Sequence, residues 1–410
     1  MSTVLAVVAF VVGALALLLL VPVGVLTVQV LAACSGRGRN SEREAVDSAS
    51  SRDGTGPRPS VAVVLPAHDE EAGLAPVVAA VRASLHTGDR ILVVADNCSD
   101  RTAAIALAAG AEVVERHDPV RRGKGYALDH GIRHLSQLPP DVVVIVDADC
   151  LVAPDALDRL VWRCSDSGRP VQALYLMNAP ATASSRQRIA ALAWIVKNQV
   201  RALGSHRLRL PCQLMGTGMA FPWCVIETAP LASGHIVEDL QLGLDLAVKG
   251  SPPLFCPEAL VTSTFPIREE GVETQRTRWE HGHLGVIATV GLPLLRRAIG
   301  RRQWHLAAMA LDVCVPPLAL LGMALVVVLL AAALLATANW LFPLFVAATA
   351  MALFVASVGL AWNGWGRQAV ALGDLLAAPI YVLRKLPMYA KLLGRRETRW
   401  VRTKRDDQSG

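Results

Sequence analysis

The nine residues Val142–Cys150 read Val-Val-Val-Ile-Val-Asp-Ala-Asp-Cys. Five β-branched apolar residues in a row predict a strand buried on both faces, and two carboxylates stand at its exit. In an open α/β sheet, ligands gather beyond the carboxyl ends of parallel strands, which is where Asp147 and Asp149 emerge. Carboxylates separated by one residue suit a hard divalent cation, Mg²⁺ or Mn²⁺, shared with the phosphates of a substrate. A polar turn closing the strand accounts for the same tripeptide equally well. The neighbouring segments have to decide.

Three earlier segments share this design. Val61–Leu65 is a short apolar strand ending in Pro66-Ala67-His68-Asp69-Glu70-Glu71, and a helical pattern follows to about Ser84. Ile91–Ala95 ends in Asp96-Asn97-Cys98-Ser99-Asp100-Arg101-Thr102, with Ser99 or Asp100 as N-cap of the next helix. A strand around Val113–Val114 leads to Arg121-Arg122-Gly123-Lys124-Gly125 and a third helix. Alternation of strand and helix predicts right-handed crossovers and a mostly parallel sheet, so every polar tail arrives at one edge. Gly123-Lys124 lacks the first glycine and the Ser/Thr of a Walker loop. Gly216-Thr217-Gly218 lacks the third glycine of a dinucleotide fingerprint, and no long helix opens after it.

Further along, Glu238-Asp239 opens a stretch with Leu240, Leu242, Leu244 and Leu246, read as a packed helix with its acids at the start. Carboxylates there favour the helix dipole, so Asp239 is also explained as a capping residue. In Gln275-Arg276-Thr277-Arg278-Trp279, Arg278 offers a planar donor array for a diphosphate and Trp279 a broad face for a sugar ring. An interfacial helix uses Arg and Trp in the same way. Gly216-Thr217-Gly218 lets backbone approach an acceptor or forms an ordinary turn. Trp223 reads as an acceptor-site or a core tryptophan. His281 and His283 lack the HExxH arrangement of a zinc site.

The chain has 410 residues, is 53% hydrophobic and only 18% charged, with a mean hydropathy of +0.41. Its apolar residues collect at the N-terminus and beyond Leu306, leaving a middle of roughly 220–240 residues with ordinary soluble character. From Thr3 to Cys34 there is no charged residue, enough for a membrane-spanning helix. A secretory signal needs a basic start and a shorter apolar core, and Leu31-Ala32-Ala33-Cys34 matches a lipoprotein cleavage box only locally. The segment is therefore read as an uncleaved anchor. Arg37, Arg39 and Arg43 follow it, which by the positive-inside rule puts the N-terminus outside and the rest in the cytoplasm. Leu306–Ala338 is apolar apart from Asp312, with Pro316-Pro317 kinking or restarting it, and Leu341–Trp362 returns after a turn at Asn339-Trp340. Asp312 reads as facing the protein interior or the membrane boundary. His283–Arg297 and Leu372–Leu393 read as helices lying in the interface.

The net charge of +6 is modest. It concentrates beside apolar segments, around Arg296–Arg302 and Arg384–Arg405, which favours anionic lipid over nucleic acid. Eight cysteines without metal-ligand spacing read as reduced thiols.

Taken in order, Pro66-Ala67-His68-Asp69-Glu70, Asp96, Gly123-Lys124-Gly125, Asp147-Ala148-Asp149, Gly216-Thr217-Gly218, Glu238-Asp239 and Gln275-Arg276-Thr277-Arg278-Trp279 resemble the membrane-bound family-2 glycosyltransferases. That group includes cellulose, hyaluronan and poly-N-acetylglucosamine synthases and ceramide glucosyltransferases, and the match runs over about Val61–Gly282. The family's usual aromatic and Asn are here His68 and Asp69, and the first of its paired aspartates after the second strand is Ala95. The resemblance implies an α/β domain of the glycosyltransferase-A type, with a mostly parallel sheet and with transmembrane and interfacial helices at both ends of the chain. It places Pro66, His68, Glu70 and Asp96 on the uridine, Lys124 near the uracil or phosphates, and Asp149 on Mg²⁺ or Mn²⁺. Asp147 faces the ribose or supports the metal. Gly216, Thr217, Gly218, Glu238, Gln275, Arg278 and Trp279 go to the acceptor and diphosphate.

The reaction then expected is transfer from a UDP-sugar to a polysaccharide or lipid-linked sugar, with Asp239 as general base. A single in-line displacement inverts the anomeric carbon and gives a β-linkage. About three spans suffice for single-sugar transfer to a membrane lipid. A non-catalytic accessory subunit that keeps the nucleotide fold is the alternative from another class. The organisation expected is an anchor at 1–36, a linker at 37–60, a cytoplasmic glycosyltransferase domain at 61–275, interfacial helices at 276–303, a transmembrane hairpin at 304–362, and an interfacial helix with a basic tail at 363–410. The expected location is the plasma membrane, with membrane lipid and a possible export partner in contact.

Overall fold

The structure is a computed structural model of the chain and describes residues 2–35, 57–180, 182–235, 237–265 and 269–376. The basic residues Arg37, Arg39 and Arg43, most of the expected linker, and the expected interfacial helix and tail beyond residue 376 lie outside the described residues. The described residues form two compact units: 57–180, 209–235, 237–265 and 269–282 make one; 2–35, 182–208 and 283–376 make the other.

The first unit is built on an eight-stranded sheet: β1 Val61–Ala67, β2 Arg90–Asp96, β3 Glu112–Arg116, β4 Val142–Ile145, β5 Leu151–Val152, β6 Val171–Asn178, β7 Met219–Pro222 and β8 Leu254–Thr264, in the order β3-β2-β1-β4-β7-β6-β8-β5. The first four strands are parallel, as their crossover helices Leu74–Ala83, Thr102–Ala108 and Lys124–Leu135 demand. Val61–Leu65 and Val142–Val146 are all buried, because helices and neighbouring strands cover both faces. The alternation does not continue beyond β4. β7 runs antiparallel to both β4 and β6, whereas β6 and β8 are again parallel, with a register shift at Ala173/Leu174. The sheet is thus mixed, with parallel pairs in the majority.

Registers fix where the polar tails land. Ala67 of β1 lies beside Ala95 of β2, and Val64 beside Ile145 of β4. Pro66 to Glu70, Asp96 and Asp147 to Asp149 therefore leave the sheet at a common edge. Neither Ser99 nor Asp100 is the N-cap of the second helix, which is Arg101; Asp100 stands just before it, and its Oδ1 accepts from the backbone N–H of Thr102 at 2.9 Å.

In the second unit, three helices are long and apolar enough to cross a membrane: Thr3–Ser35, Leu318–Ala336 and Leu341–Gly366. Ala9, Val12 and Ala16 pack with Val328, Ala332, Val346 and Ala347. In the segment from Leu306 to Ala338, Pro316-Pro317 restarts the helix and does not merely kink it. A helix ends at Val313 and another starts at Leu318, because Pro316 and Pro317 remove successive backbone donors. The basic amphipathic stretch is also continuous with what precedes it: the helix Glu269–Val286 runs through a π-turn into the helix Leu292–Gly300.

Residues 181–208, inside the range expected to form the catalytic domain, belong to this helical unit. Gly204 explains one close crossing, since a Cβ there would stand 2.0 Å from the carbonyl oxygen of Gln29. Asp312 faces the interior. Its Oδ1 accepts from Arg201 Nη2 and from Gln29 Nε2, each at 2.6 Å. That pairing offsets the cost of burying both charges.

Candidate active site

At the exit of β4 the backbone N–H of Asp147 donates to Thr217 Oγ1 at 3.0 Å. Thr217 is fully buried, and its carbonyl accepts from Gln172 Nε2 at 2.9 Å. Gly218 has φ +64°, and a Cβ there would meet Ala173 Cβ at 2.7 Å. In Gly216-Thr217-Gly218, two residues thus hold the loop to the sheet and one, Gly216, faces the cleft.

The Lys124 ammonium joins these pieces. It donates to Asp147 Oδ1 and, at 2.7 Å, to the carbonyl of Gly216. Gly216 has φ +91°, and a Cβ on it would lie 3.4 Å from Asp239 Oδ2 and 3.6 Å from Lys124 Nζ. Asp239 therefore reaches the same point from the other side. It is carried by the first turn of the helix Glu238–Val248, where the N-terminal dipole favours a carboxylate. Leu240, Leu242, Leu244 and Leu246 are all buried and hold that helix in the core. The lining between these groups comprises Lys124, Glu238, Asp239, Leu128, Met219 and Leu242, among others.

Electrostatics follow from this crowding. Burial works against the charge on Lys124, but Asp147, then Glu238, more than offset it, so the ammonium is held above its ordinary range. Burial, then the neighbouring Asp239, push the Glu238 carboxyl up to about 8. Asp147 is raised too, mainly by burial, although Lys124 opposes this.

Among the described residues, two groups have ligand atoms within 4.8 Å of one another, Asp69-Cys98-Asp100 and Asp147-Asp149-Cys150, and the second is the one at the exit of β4 beside Lys124. Burial, then Asp149 and Asp147, push the Cys150 thiol far up, so it stays protonated and donates to Asp149 Oδ1 at 3.4 Å. Two hard carboxylate oxygens remain, with Asp149 exposed. That set fits Mg²⁺ or Mn²⁺ that fills its other positions with water and substrate phosphate.

On the β1–β2 side, His68 Nδ1 donates to the carbonyl of Asp96 at 2.7 Å. Asp96 Oδ1 accepts from Arg116 Nη1 at 2.6 Å and from Asn97 Nδ2 at 3.0 Å. The Glu70 backbone N–H donates to Thr102 Oγ1 at 2.7 Å, and Pro66 lies beside Val94 in the β1–β2 register. Gln275 and Arg278 lie on the helix Glu269–Val286, with side chains outside the described residues, and Trp279 is half-buried. That helix comes close to the acids, since a Cβ on Gly282 would stand 2.9 Å from Val237 Cγ1.

Several site residues carry no motif signal. Arg116 pairs with Asp96 across adjacent strands. Tyr175 is buried close to Cys150 and Asp149. Residues 230–234 cover Gly125, where a Cβ would stand 2.5 Å from the carbonyl of Leu231. Gln172 had the one legible sign, an amide side chain inside an apolar strand.

A family profile, "Glycosyltransferase like family 2", matches residues 57–282. The chain belongs to that family. Among solved structures, the mannosyltransferase PcManGT from Pyrobaculum calidifontis, in complex with GDP-Man and Mn²⁺, is similar in fold. It has 19% sequence identity and a TM-score of 0.52, over 92% of this chain and 99% of that one. Glucosyl-3-phosphoglycerate synthase of Mycobacterium tuberculosis is 38% identical over 105 residues, 24% of this chain and 31% of its own length. The probable glycosyltransferase YdaM of Bacillus subtilis is 26% identical over 248 residues, 56% of each chain. The match to family 2 thus covers the sheet unit as far as Gly282, and the alignments to these two relatives span less than two thirds of their lengths.

Proposed function

We propose that this family-2 protein transfers a sugar from a nucleoside diphosphate, UDP in the first instance, to a hydroxyl of a polysaccharide or lipid-linked acceptor. The observation that carries this reading is the meeting of Asp239 and the Lys124–Asp147 ion pair at Gly216, in one cleft at the sheet edge. On this reading, donor-side and acceptor-side groups share one point. A divalent cation on Asp147 and Asp149, when bound, neutralises charge developing on the departing diphosphate. Lys124 adds a second positive charge in the same cleft. His68, Glu70 and Asp96 line the approach for the nucleoside. Asp239 takes the proton of the acceptor hydroxyl, and attack opposite the diphosphate inverts the anomeric carbon to a β-linkage.

The three apolar helices support a membrane location; on this proposal the sheet unit is cytoplasmic and the acceptor is held at or in the lipid. The test is incubation of the purified full chain with a panel of UDP-sugars and GDP-mannose, with lipid and oligosaccharide acceptors, and product masses read by mass spectrometry. One donor is expected to give a product one sugar heavier. Asp239→Asn is expected to lower kcat by about 10²–10⁴-fold, the range of general-base catalysis. Turnover by the variant equal to the wild type would remove Asp239 from its role.

A further inference from the structure

Asp147 has two claims on it. It is one of the two carboxylates that fit a divalent cation, and it accepts a hydrogen bond from the Lys124 ammonium. A cation at roughly 2.1 Å from a carboxylate oxygen and an ammonium at hydrogen-bond distance from the same carboxylate repel each other strongly in a partly buried cleft. The ammonium also has a second partner, the Gly216 carbonyl at 2.7 Å, which does not depend on Asp147. Asp239 lies close to the same residue, since a Cβ on Gly216 would stand 3.4 Å from its Oδ2. Lysine suits an exchange of this kind, because it is a compact point charge on a flexible four-carbon stem.

We propose that Lys124 is a positioning residue that occupies the cation's place on Asp147 in the metal-free protein and yields it when metal binds. The ammonium then stays on the Gly216 carbonyl, where it would add positive charge for the donor's diphosphate. This inference rests on the donor-site reading above. It makes metal binding weak without nucleotide and stronger with it, since the diphosphate supplies the negative charge the released ammonium needs. Metal and nucleotide sugar are thereby coupled through one side chain.

The test is Mn²⁺ titration of the full chain in detergent without nucleotide, with free Mn²⁺ read by electron paramagnetic resonance. Lys124→Met is expected to bind Mn²⁺ about tenfold more tightly than the wild type, the scale of removing one close competing charge. Lys124→Arg, which keeps the charge, is expected to stay near the wild type. Equal or weaker Mn²⁺ binding by Lys124→Met overturns the exchange while leaving the metal site standing. Asp149→Asn that binds Mn²⁺ as well as the wild type overturns the metal site itself, and the exchange with it.

A second measurement needs no variant: reductive methylation of the wild-type chain, with Lys124 followed by peptide mass spectrometry. Mn²⁺ with nucleoside diphosphate absent is expected to raise Lys124 labelling severalfold, and unchanged labelling overturns the proposal.

Discussion

Gly216 and Asp239 approach so closely that the smallest side chain at position 216 would rest 3.4 Å from Asp239 Oδ2. The glycine also holds φ +91°, where an L-residue is strained. Gly216→Ala is therefore expected to destabilise the fold by about 1–2 kcal/mol and to disturb the turn whose carbonyl holds Lys124. Thermal melting should register a drop of a few degrees, and transfer activity a larger loss than that drop explains. Full activity in the variant would show that this turn does not set the geometry of the cleft.

Glu238 gives a pH dependence of definite sign. Its carboxyl is raised from an ordinary 4.5 to about 8 by burial and by Asp239. Between those values the folded protein holds a proton that the unfolded chain has released, so stability falls as pH rises from about 4.5 to about 8. Glu238→Gln should flatten that slope in denaturant melts at pH 5, 6.5 and 8. An unchanged slope would mean the carboxyl is already ionised in the fold.

Asp149 and Asp147 are expected to make activity metal-dependent. Treatment with a chelator should abolish transfer, and Mn²⁺ or Mg²⁺ should restore it in the wild type. Asp149→Asn should shift the metal concentration for half-maximal activity upward by at least tenfold, as for loss of one of two protein ligands. Full activity after exhaustive chelation would remove the cation from the reaction.

Arg116 neutralises the buried Asp96, which in turn holds the strand ends beside His68. Arg116→Ala leaves that carboxylate without its counter-charge and is expected to cost about 3 kcal/mol. Chemical denaturation would measure it. Asp96→Asn, which keeps the shape, should cost less.

The half of the sheet made by β1 to β4 is legible because each strand is an apolar run with a polar tail, and parallel crossovers bring the tails together. Lys124 and Asp147 are 23 residues apart, and only those crossovers place them in contact. The other half is harder to read. β8 contains Pro257 and Glu258, β6 contains Gln172, β5 is two residues long, and β7 enters out of chain order between β4 and β6. Local pattern carries none of these pairings, because they are decided by partners far away in sequence. The segment 181–208 was equally hidden, since apolar helices of a membrane unit and of a soluble core share one periodicity. The helix start beside a leucine run explains Asp239 equally as a cap, and its role as base comes from the family resemblance, whereas its approach to Gly216 depends on the whole sheet.

Among the described residues, the four-residue strand Met219–Pro222 alone joins the two halves of the sheet by hydrogen bonds. During synthesis, a chain that has emerged only as far as residue 210 already contains β4 and β6 but leaves each with a naked edge. Such edges recruit strands from other molecules. This protein thus passes through a window of aggregation risk that β7 narrows and β8, on the other edge of β6, closes, so slow translation before residue 264 should lower its yield more than slow translation after it.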